Sequence, residues 1–123
     1  MAYNDDVGGP PQTVVETPEF AAAARRLLSD VELNELIDFL AANPASGDLI
    51  PGTGGARKLR WSAKGKGKRG GARVITYFGG RNLPVFLLAM FAKGERADLS
   101  QAERNELRQI LRYLAAEYRQ GTK

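Results

Sequence analysis

The sequence predicts an α+β domain in which an N-terminal helical hairpin packs on a small antiparallel β-sheet with a C-terminal helix. Hydrophobic residues recur at helical spacing over residues 18–42 and again after residue 100. Between residues 56 and 90 they instead alternate or run continuously, as they do in strands. The chain has 123 residues, of which 43% are hydrophobic, which suits one domain with a single core.

The N-terminal segment differs in composition from the rest of the chain. Residues 1–12 combine polar side chains with paired glycines and paired prolines, which predicts a flexible arm. The folded domain is therefore expected to occupy residues 13–119. Its first four residues, Thr13 to Glu16, predict a short edge strand.

Cap residues mark the two helices of the hairpin. Thr17 stands before a proline, which predicts an N-cap followed by proline at the first helical position. Ser29 and Glu32 have the spacing of a capping box at the start of the second helix. The helix is expected to end before Pro44, because the residue that precedes a proline disfavours helical backbone.

After a glycine-rich loop at residues 47–55, the periodicity changes to that of strands. Three strands and their connections are predicted in this order: Arg57–Trp61, the connector Ser62–Gly71, Ala72–Phe78, the turn Gly79–Asn82, and Pro84–Met90. A second capping box, Ser100 with Glu103, opens the C-terminal helix. The result is an antiparallel meander that we expect the helices to cover on one side.

Positive charge is concentrated in one part of the chain. The formal net charge is only +4, but the segment between Leu49 and Gly94 contains ten lysines and arginines and no acid. The remainder has 8 basic residues against 14 acidic ones. Such a division creates a local positive field, and nucleic acid is the leading candidate partner because neutralised phosphates release counterions.

The residue types that are absent narrow the chemistry. The chain has no cysteine and no histidine, which excludes disulfides, thiolate zinc sites and a cysteine nucleophile. With no acid between Leu49 and Gly94 either, we expect a reaction without metal or cofactor. The longest apolar run is too short to span a bilayer and no signal sequence opens the chain, which predicts a soluble, cytoplasmic protein without membrane contact.

The glycine-rich segment that begins at Gly52 invites comparison with a phosphate-binding loop. It fails the test, because Arg57 stands where the second glycine belongs and Leu59 where a serine or threonine would bind magnesium. The residues that follow predict a strand and not a helix. Binding of a nucleoside triphosphate is therefore not indicated.

Basic residues on the first long strand alternate with apolar ones. Lys58 and Arg60 point to one face and Leu59 and Trp61 to the other. If the next strand pairs with this one, Arg73 joins Lys58 and Arg60 in a cluster of surface cations. Neighbouring cations favour the neutral amine of a lysine, and arginine can stabilise developing phosphate charge. The alternative is a solvated sheet face with scattered basic residues.

The run PGTGGARKLRWSAKGKGKRGGARVITYF, residues 51–78, fits the pattern G-x-G-G-x-R-K-x-R-W followed by G-K-x-G-G-x-R-V-I-x-Y. FLLAMFAKGERADLS, residues 86–100, supplies an F-A-K element and an A-D-L-S tail. These motifs resemble the RelE/HigB family of type II toxins and, more narrowly, its HigB-like branch. The resemblance spans roughly residues 17–119, nearly the whole domain.

The resemblance implies a RelE-like fold and a ribosome-dependent mRNA endonuclease that cuts in the ribosomal A site and inhibits translation. The family reaction is attack of a 2′-hydroxyl on the adjacent phosphate and needs no metal. The resemblance further implies a cognate antitoxin, often a helix-turn-helix HigA-like protein in this branch. Operator DNA would then be bound only through the antitoxin, and the toxin's own partners would be the ribosome and mRNA.

By position, the family site falls on Lys58, Arg60 and Arg73, with Lys93 near a further basic position. RelE has a tyrosine near its C-terminus that is proposed as general base, whereas residues 97–100 here read Ala-Asp-Leu-Ser. Lys58 is therefore the candidate base, and Arg60 and Arg73 are candidates to stabilise the phosphorane-like transition state.

Five further basic residues of this segment are predicted to bind RNA: Arg57, Lys64, Lys66, Lys68 and Arg69. The glycines of the connector are compatible with two interpretations: a mobile segment that closes over phosphates, or a disordered loop without a function of its own. Two other functions stay open, a gyrase-poisoning ParE-like toxin and a non-catalytic RNA-binding module. ParE-type toxins generally lack the dense pair of basic strands, which argues against the first of these.

Overall fold

The computed structural model describes residues 11–63, 71–95 and 98–121. Within them the elements are, in chain order, β1 (Val14–Glu16), α1 (Pro18–Leu27), α2 (Asp30–Ala42), β2 (Asp48–Leu49), β3 (Ala56–Trp61), β4 (Ala72–Phe78), β5 (Val85–Ala92) and α3 (Gln101–Gly121). The predicted α+β class is confirmed, with its helical hairpin, mostly antiparallel sheet and C-terminal helix. The predicted arm and the basic connector lie largely outside the described residues.

The helix starts are those that the sequence predicts. The Thr17 side chain accepts a hydrogen bond from the N–H of Phe20 and donates one to the carbonyl of Leu87 at 2.8 Å, so the same hydroxyl caps α1 and ties it to β5. Ser29 and Glu32 form a reciprocal capping box at α2. The α2 helix ends at the cap residue Asn43, as the following proline requires.

The five strands form one sheet in the order β1-β5-β4-β3-β2. The predicted edge strand β1 is confirmed and pairs in parallel with β5, while the other neighbours are antiparallel. The interpretation of residues 47–55 as a loop is wrong at Asp48 and Leu49, which form β2 against β3. Two residues carry no detectable alternation, so the sequence gives no signal for this strand.

Helices cover both faces of the sheet, which corrects the expectation that they lie on one side. Val74 and Ile75 are adjacent in the central strand β4, point to opposite faces, and are both fully buried. Val74 packs in a cluster with residues of α1 and α2, and Ile75 packs with Leu99 and with Leu111 of α3. A strand buried on both faces reads as a continuous apolar run, as the neighbouring strand β5 does with the sequence VFLLAMFA.

The C-terminal helix α3 begins at the predicted capping box, in which Ser100 and Glu103 exchange hydrogen bonds of 2.8 and 3.1 Å. Leu111 is its buried anchor, and Leu107 and Leu114 pack beside it. Neither α3 nor another helix in the described part of the chain is long and apolar enough to cross a membrane.

The aromatic residues of the strands belong to the core. Trp61 is buried with its ring centroid 5.2 Å from that of Phe39, and Tyr77 is buried beside Phe86. Both rings are therefore used in core packing and are not presented to solvent for base stacking.

Candidate functional site

The pairing of β3 with β4 brings three predicted site residues onto one face of the sheet. Arg60 lies directly opposite Arg73, and Lys58 lies opposite Ile75, two residues along the same strand. Directly opposed residues in an antiparallel pair have Cβ atoms about 4.5–5.5 Å apart. The expected cluster of Lys58, Arg60 and Arg73 is therefore present in the fold. The chemical roles of its members stay predictions.

The three side chains differ in exposure, and Arg73 departs from the expectation of a surface cation. Arg60 is exposed and the Lys58 side chain is 28% exposed, but Arg73 is only 9% exposed. Arg73 lies on the central strand between Arg60 on β3 and Phe91 on β5, which explains its burial. The strand on which each residue lies therefore determines its exposure, and the residue type alone does not show this.

Arg73 has little to balance its charge. Its Nη1 donates one hydrogen bond, 3.3 Å long, to the carbonyl of the neighbouring Ala72. No carboxylate among the described residues lies within ion-pair distance of it. A buried charge is costly unless it is paired and hydrogen-bonded. Within the described residues, the positive charge of Arg73 is therefore largely uncompensated.

Lys58 is held by an acid from outside the basic segment. The Lys58 Nζ lies 3.1 Å from Oδ2 of Asp98, and Nη2 of Arg104 lies 3.6 Å from the same oxygen. The other carboxylate oxygen, Oδ1, accepts a 2.8 Å hydrogen bond from the N–H of Leu99. One carboxylate thus joins strand β3 to the start of helix α3.

The surroundings of Asp98 favour its charged form. The hydrogen bond from the Leu99 N–H lowers the pKa of Asp98 most, partial burial acts in the opposite direction, and Lys58 and Arg104 lower it further. The net effect is a pKa below the ordinary value of an aspartate. Asp98 is consequently a carboxylate at neutral pH.

Sequence reasoning gave no role to Asp98 and did not single out Arg104. Both follow the basic segment in the chain, and Arg104 stands between Glu103 and Asn105, so the charge division does not mark it. The Nε of Arg104 is buried without a hydrogen-bond partner, so this guanidinium also has unused donor capacity at the site. The A-D-L-S motif was the available signal for Asp98, but it did not indicate a partner.

The other predicted residues are not part of this cluster as described. Arg57 alternates with Lys58 and so lies on the opposite face, where its Nη1 donates to the carbonyl of Gly47 at 3.0 Å. Lys93 is exposed just beyond β5, and its N–H donates to the carbonyl of Gly71, two residues before Arg73. The connector cations Lys64, Lys66, Lys68 and Arg69 lie outside the described residues.

The loop before β3 fixes the position of the basic strand. Thr53 is fully buried, and its hydroxyl donates to the carbonyl of Ile50 at 2.7 Å and accepts from the N–H of Ala56 at 3.0 Å. Gly47 has φ +95, and a Cβ there would lie 2.9 Å from the carbonyl oxygen of Lys58. Both residues hold the backbone that carries Lys58 against its neighbours.

No group of three or more acidic, histidine or cysteine residues within the described ranges is arranged to hold a metal ion. The site instead offers hydrogen-bond donors: Arg60 and Arg73, which have no carboxylate partner in the part of the chain that the structure describes, and the Lys58 amine held by Asp98. Such an arrangement can bind a phosphate group and stabilise negative charge that develops on it.

A comparison with protein families matches residues 12–122 to the RelE toxin of the RelE / RelB toxin-antitoxin system. The match covers nearly the whole chain and includes every element of the fold. The chain belongs to the RelE toxin family of type II toxins. It is the toxin component of a toxin-antitoxin system, with a cognate antitoxin as partner, and toxins of this family are ribonucleases.

Proposed function

We propose that this toxin is a HigB-like, ribosome-dependent endonuclease that cuts translated mRNA without a metal ion and so inhibits translation in the cytoplasm. The observation that carries the proposal is Arg73, a nearly buried guanidinium without a carboxylate partner among the described residues, placed directly opposite Arg60. A bound phosphodiester would supply the missing negative charge.

RNA is the favoured polyanion because its 2′-hydroxyl supplies a nucleophile that the protein itself lacks. The chain contains no cysteine or histidine. In the proposed reaction the 2′-oxygen forms a bond to the adjacent phosphorus, and the bond from phosphorus to the 5′-oxygen breaks. The products are a 2′,3′-cyclic phosphate and a 5′-hydroxyl, which takes its proton from solvent.

The roles follow from position in the cluster. Lys58 is the proposed acceptor of the 2′-hydroxyl proton, while Arg60 and Arg73 stabilise the negative charge that develops on the phosphorane-like transition state. Lys93, at the end of β5, is assigned to the neighbouring phosphate. The partner antitoxin is proposed to be a helix-turn-helix HigA-like protein that alone contacts operator DNA.

Primer extension on an mRNA translated in a reconstituted system tests this function. Wild-type protein is expected to produce discrete cleavage sites in translated mRNA, and none when ribosomes are omitted. Lys58→Ala and Arg60→Ala should each remove these sites, while unfolding free energies change by about 1 kcal/mol or less, because Arg60 is exposed and Lys58 loses one partly exposed ion pair.

Arg25→Ala is the matched control, because Arg25 is an exposed arginine on α1, which packs on the opposite face of the sheet. It should cleave as wild type does. Equal cleavage of ribosome-free RNA would contradict ribosome dependence. Inhibition of DNA gyrase without RNA cleavage would identify a ParE-like toxin, and RNA binding without cleavage a non-catalytic module.

The connector is proposed to bind phosphates along the RNA backbone. Replacing Lys64, Lys66, Lys68 and Arg69 with serine should weaken RNA association and flatten its salt dependence. Each lost phosphate contact is expected to reduce the log–log slope by roughly 0.7 to 0.9. Binding measured between low and moderate salt gives this slope, and an unchanged slope would show that the connector is only a link between strands.

A further inference from the structure

The cations on the site face divide into two groups. Lys58 and Arg104 converge on one oxygen of Asp98, at 3.1 and 3.6 Å. Arg60 and Arg73 have no carboxylate within ion-pair distance among the described residues. Asp98 therefore holds the amine and leaves the two guanidinium groups to a substrate phosphate.

We propose that Asp98 is a positioning residue, which orients the Lys58 amine beside the Arg60–Arg73 pair. This inference rests on the proposed function, since Lys58 is the group that accepts the 2′-hydroxyl proton. Asp98 is thereby added to the residues of the site, although the charge pattern of the sequence assigns it no role.

Asp98 can position another side chain because it is itself fixed from several directions. Its Oδ1 is hydrogen-bonded to the N–H of Leu99 at 2.8 Å, and the Leu99 side chain is buried in the core beneath α3. The capping box of Ser100 with Glu103 then fixes the next turn of backbone. Oδ2 is consequently held in place, and a lysine, which has four rotatable bonds, gains a defined orientation from it.

The ion pair also has an electrostatic consequence for proton transfer. When Lys58 accepts a proton it becomes an ammonium, and the adjacent carboxylate stabilises that product, as the acid partner of a catalytic base does. Four other charged groups lie on the same side of the sheet near Lys58: Arg60 on its own strand, Arg73 on β4, Arg104 on α3 and its register partner Asp48 on β2. Three of them are cations and Asp48 forms no ion pair with Lys58, so removal of Asp98 would leave the amine with repulsive neighbours on β4 and α3.

Asp48 provides an internal comparison. It is the register partner of Lys58 across β2 and β3, so it faces the same side of the sheet, but the two side chains form no ion pair. Asp48→Asn removes an acid of the same chemistry at a similar place in the fold. It therefore separates the effect of a nearby negative charge from that of the specific contact.

The experiment measures the steady-state kinetics of cleavage of ribosome-bound mRNA by wild type, Asp98→Asn, Asp98→Glu and Asp48→Asn, together with the unfolding temperature of each. Asp98→Asn should lower kcat about 10-fold, the low end of a general base's contribution, with KM changed less than threefold because the phosphate-binding arginines are intact. Asp98→Glu should recover part of kcat, and Asp48→Asn should stay within twofold of wild type.

A second measurement does not depend on activity. In the NMR spectrum of lysine-labelled protein, the side-chain amine of Lys58 should give a signal distinct from solvated lysines in wild type, and Asp98→Asn should move it to the position of solvated lysines. A signal that does not change, or a loss of kcat matched by the same loss in Asp48→Asn, would overturn the assignment. Absence of RNA cleavage by wild type with the NMR change intact would instead contradict the proposed function.

Discussion

Replacing Arg73 with methionine is expected to abolish mRNA cleavage while leaving the protein at least as stable as wild type. Arg73 is 9% exposed, and its charge has no carboxylate partner among the described residues. An uncompensated buried charge destabilises a fold, so removing the charge costs nothing electrostatically. Methionine keeps an unbranched apolar stem of similar length to pack between Arg60 and Phe91.

The loss of activity should be large. Removing one preorganised donor to a transition-state oxyanion typically lowers kcat by about 10² to 10³. Single-turnover cleavage of ribosome-bound mRNA measures this effect, and thermal unfolding measures stability. Arg73→Lys is the informative second variant, because it keeps the charge but loses the planar fork that binds two phosphate oxygens at once, and we expect it to restore only part of the rate.

Arg25→Met is the matched control for both measurements, since it makes the same substitution at an exposed position on α1. It should leave cleavage unchanged. Cleavage by Arg73→Met within threefold of wild type would remove Arg73 from the site. Strong destabilisation of Arg73→Met would show that the guanidinium has a structural partner and that its burial does not indicate a phosphate site.

The parts of the fold that could be predicted from the sequence are those with local causes. The caps at Thr17, Ser29 and Ser100 depend on residues three positions away. A segment of four residues is therefore enough to predict where each helix begins. The shared face of Arg60 and Arg73 follows from strand alternation together with a hairpin pairing. These features need no knowledge of the rest of the chain.

The features that sequence reasoning missed depend on contacts between distant segments. The Lys58–Asp98 ion pair joins residues 40 positions apart, and nothing near either residue specifies the other. The burial of Arg73 depends on β5 and β3 lying on both sides of β4, and on α3 covering that face. A residue type gives the charge of a site, but its exposure is set by strand order and helix placement.

Among changes to the substrate, the largest effect on cleavage is expected from a single 2′-deoxynucleotide at the cleavage position of the mRNA. If the 2′-oxygen at the cleavage position is the nucleophile, a translated mRNA with deoxyribose at that one nucleotide should not be cut there, whereas deoxyribose one codon upstream should leave cleavage unchanged. Primer extension measures both. Cleavage at the deoxynucleotide would show that water or a protein group attacks the phosphate, and the proposed mechanism would then be wrong.

The same nucleophile predicts the product ends and the response to chelation. The upstream fragment should carry a 2′,3′-cyclic phosphate and the downstream fragment a 5′-hydroxyl, which end-labelling with and without phosphatase distinguishes.

A hydrolytic metal would need a cage of carboxylates, but no acid lies between Leu49 and Gly94, and the carboxylate of Asp98 is already paired with Lys58 and Arg104. Cleavage is therefore expected to continue in EDTA when polyamines keep the ribosomes intact. A 3′-hydroxyl on the upstream fragment, or activity that returns only when magnesium is added to intact ribosomes, would contradict attack by the 2′-hydroxyl without a metal.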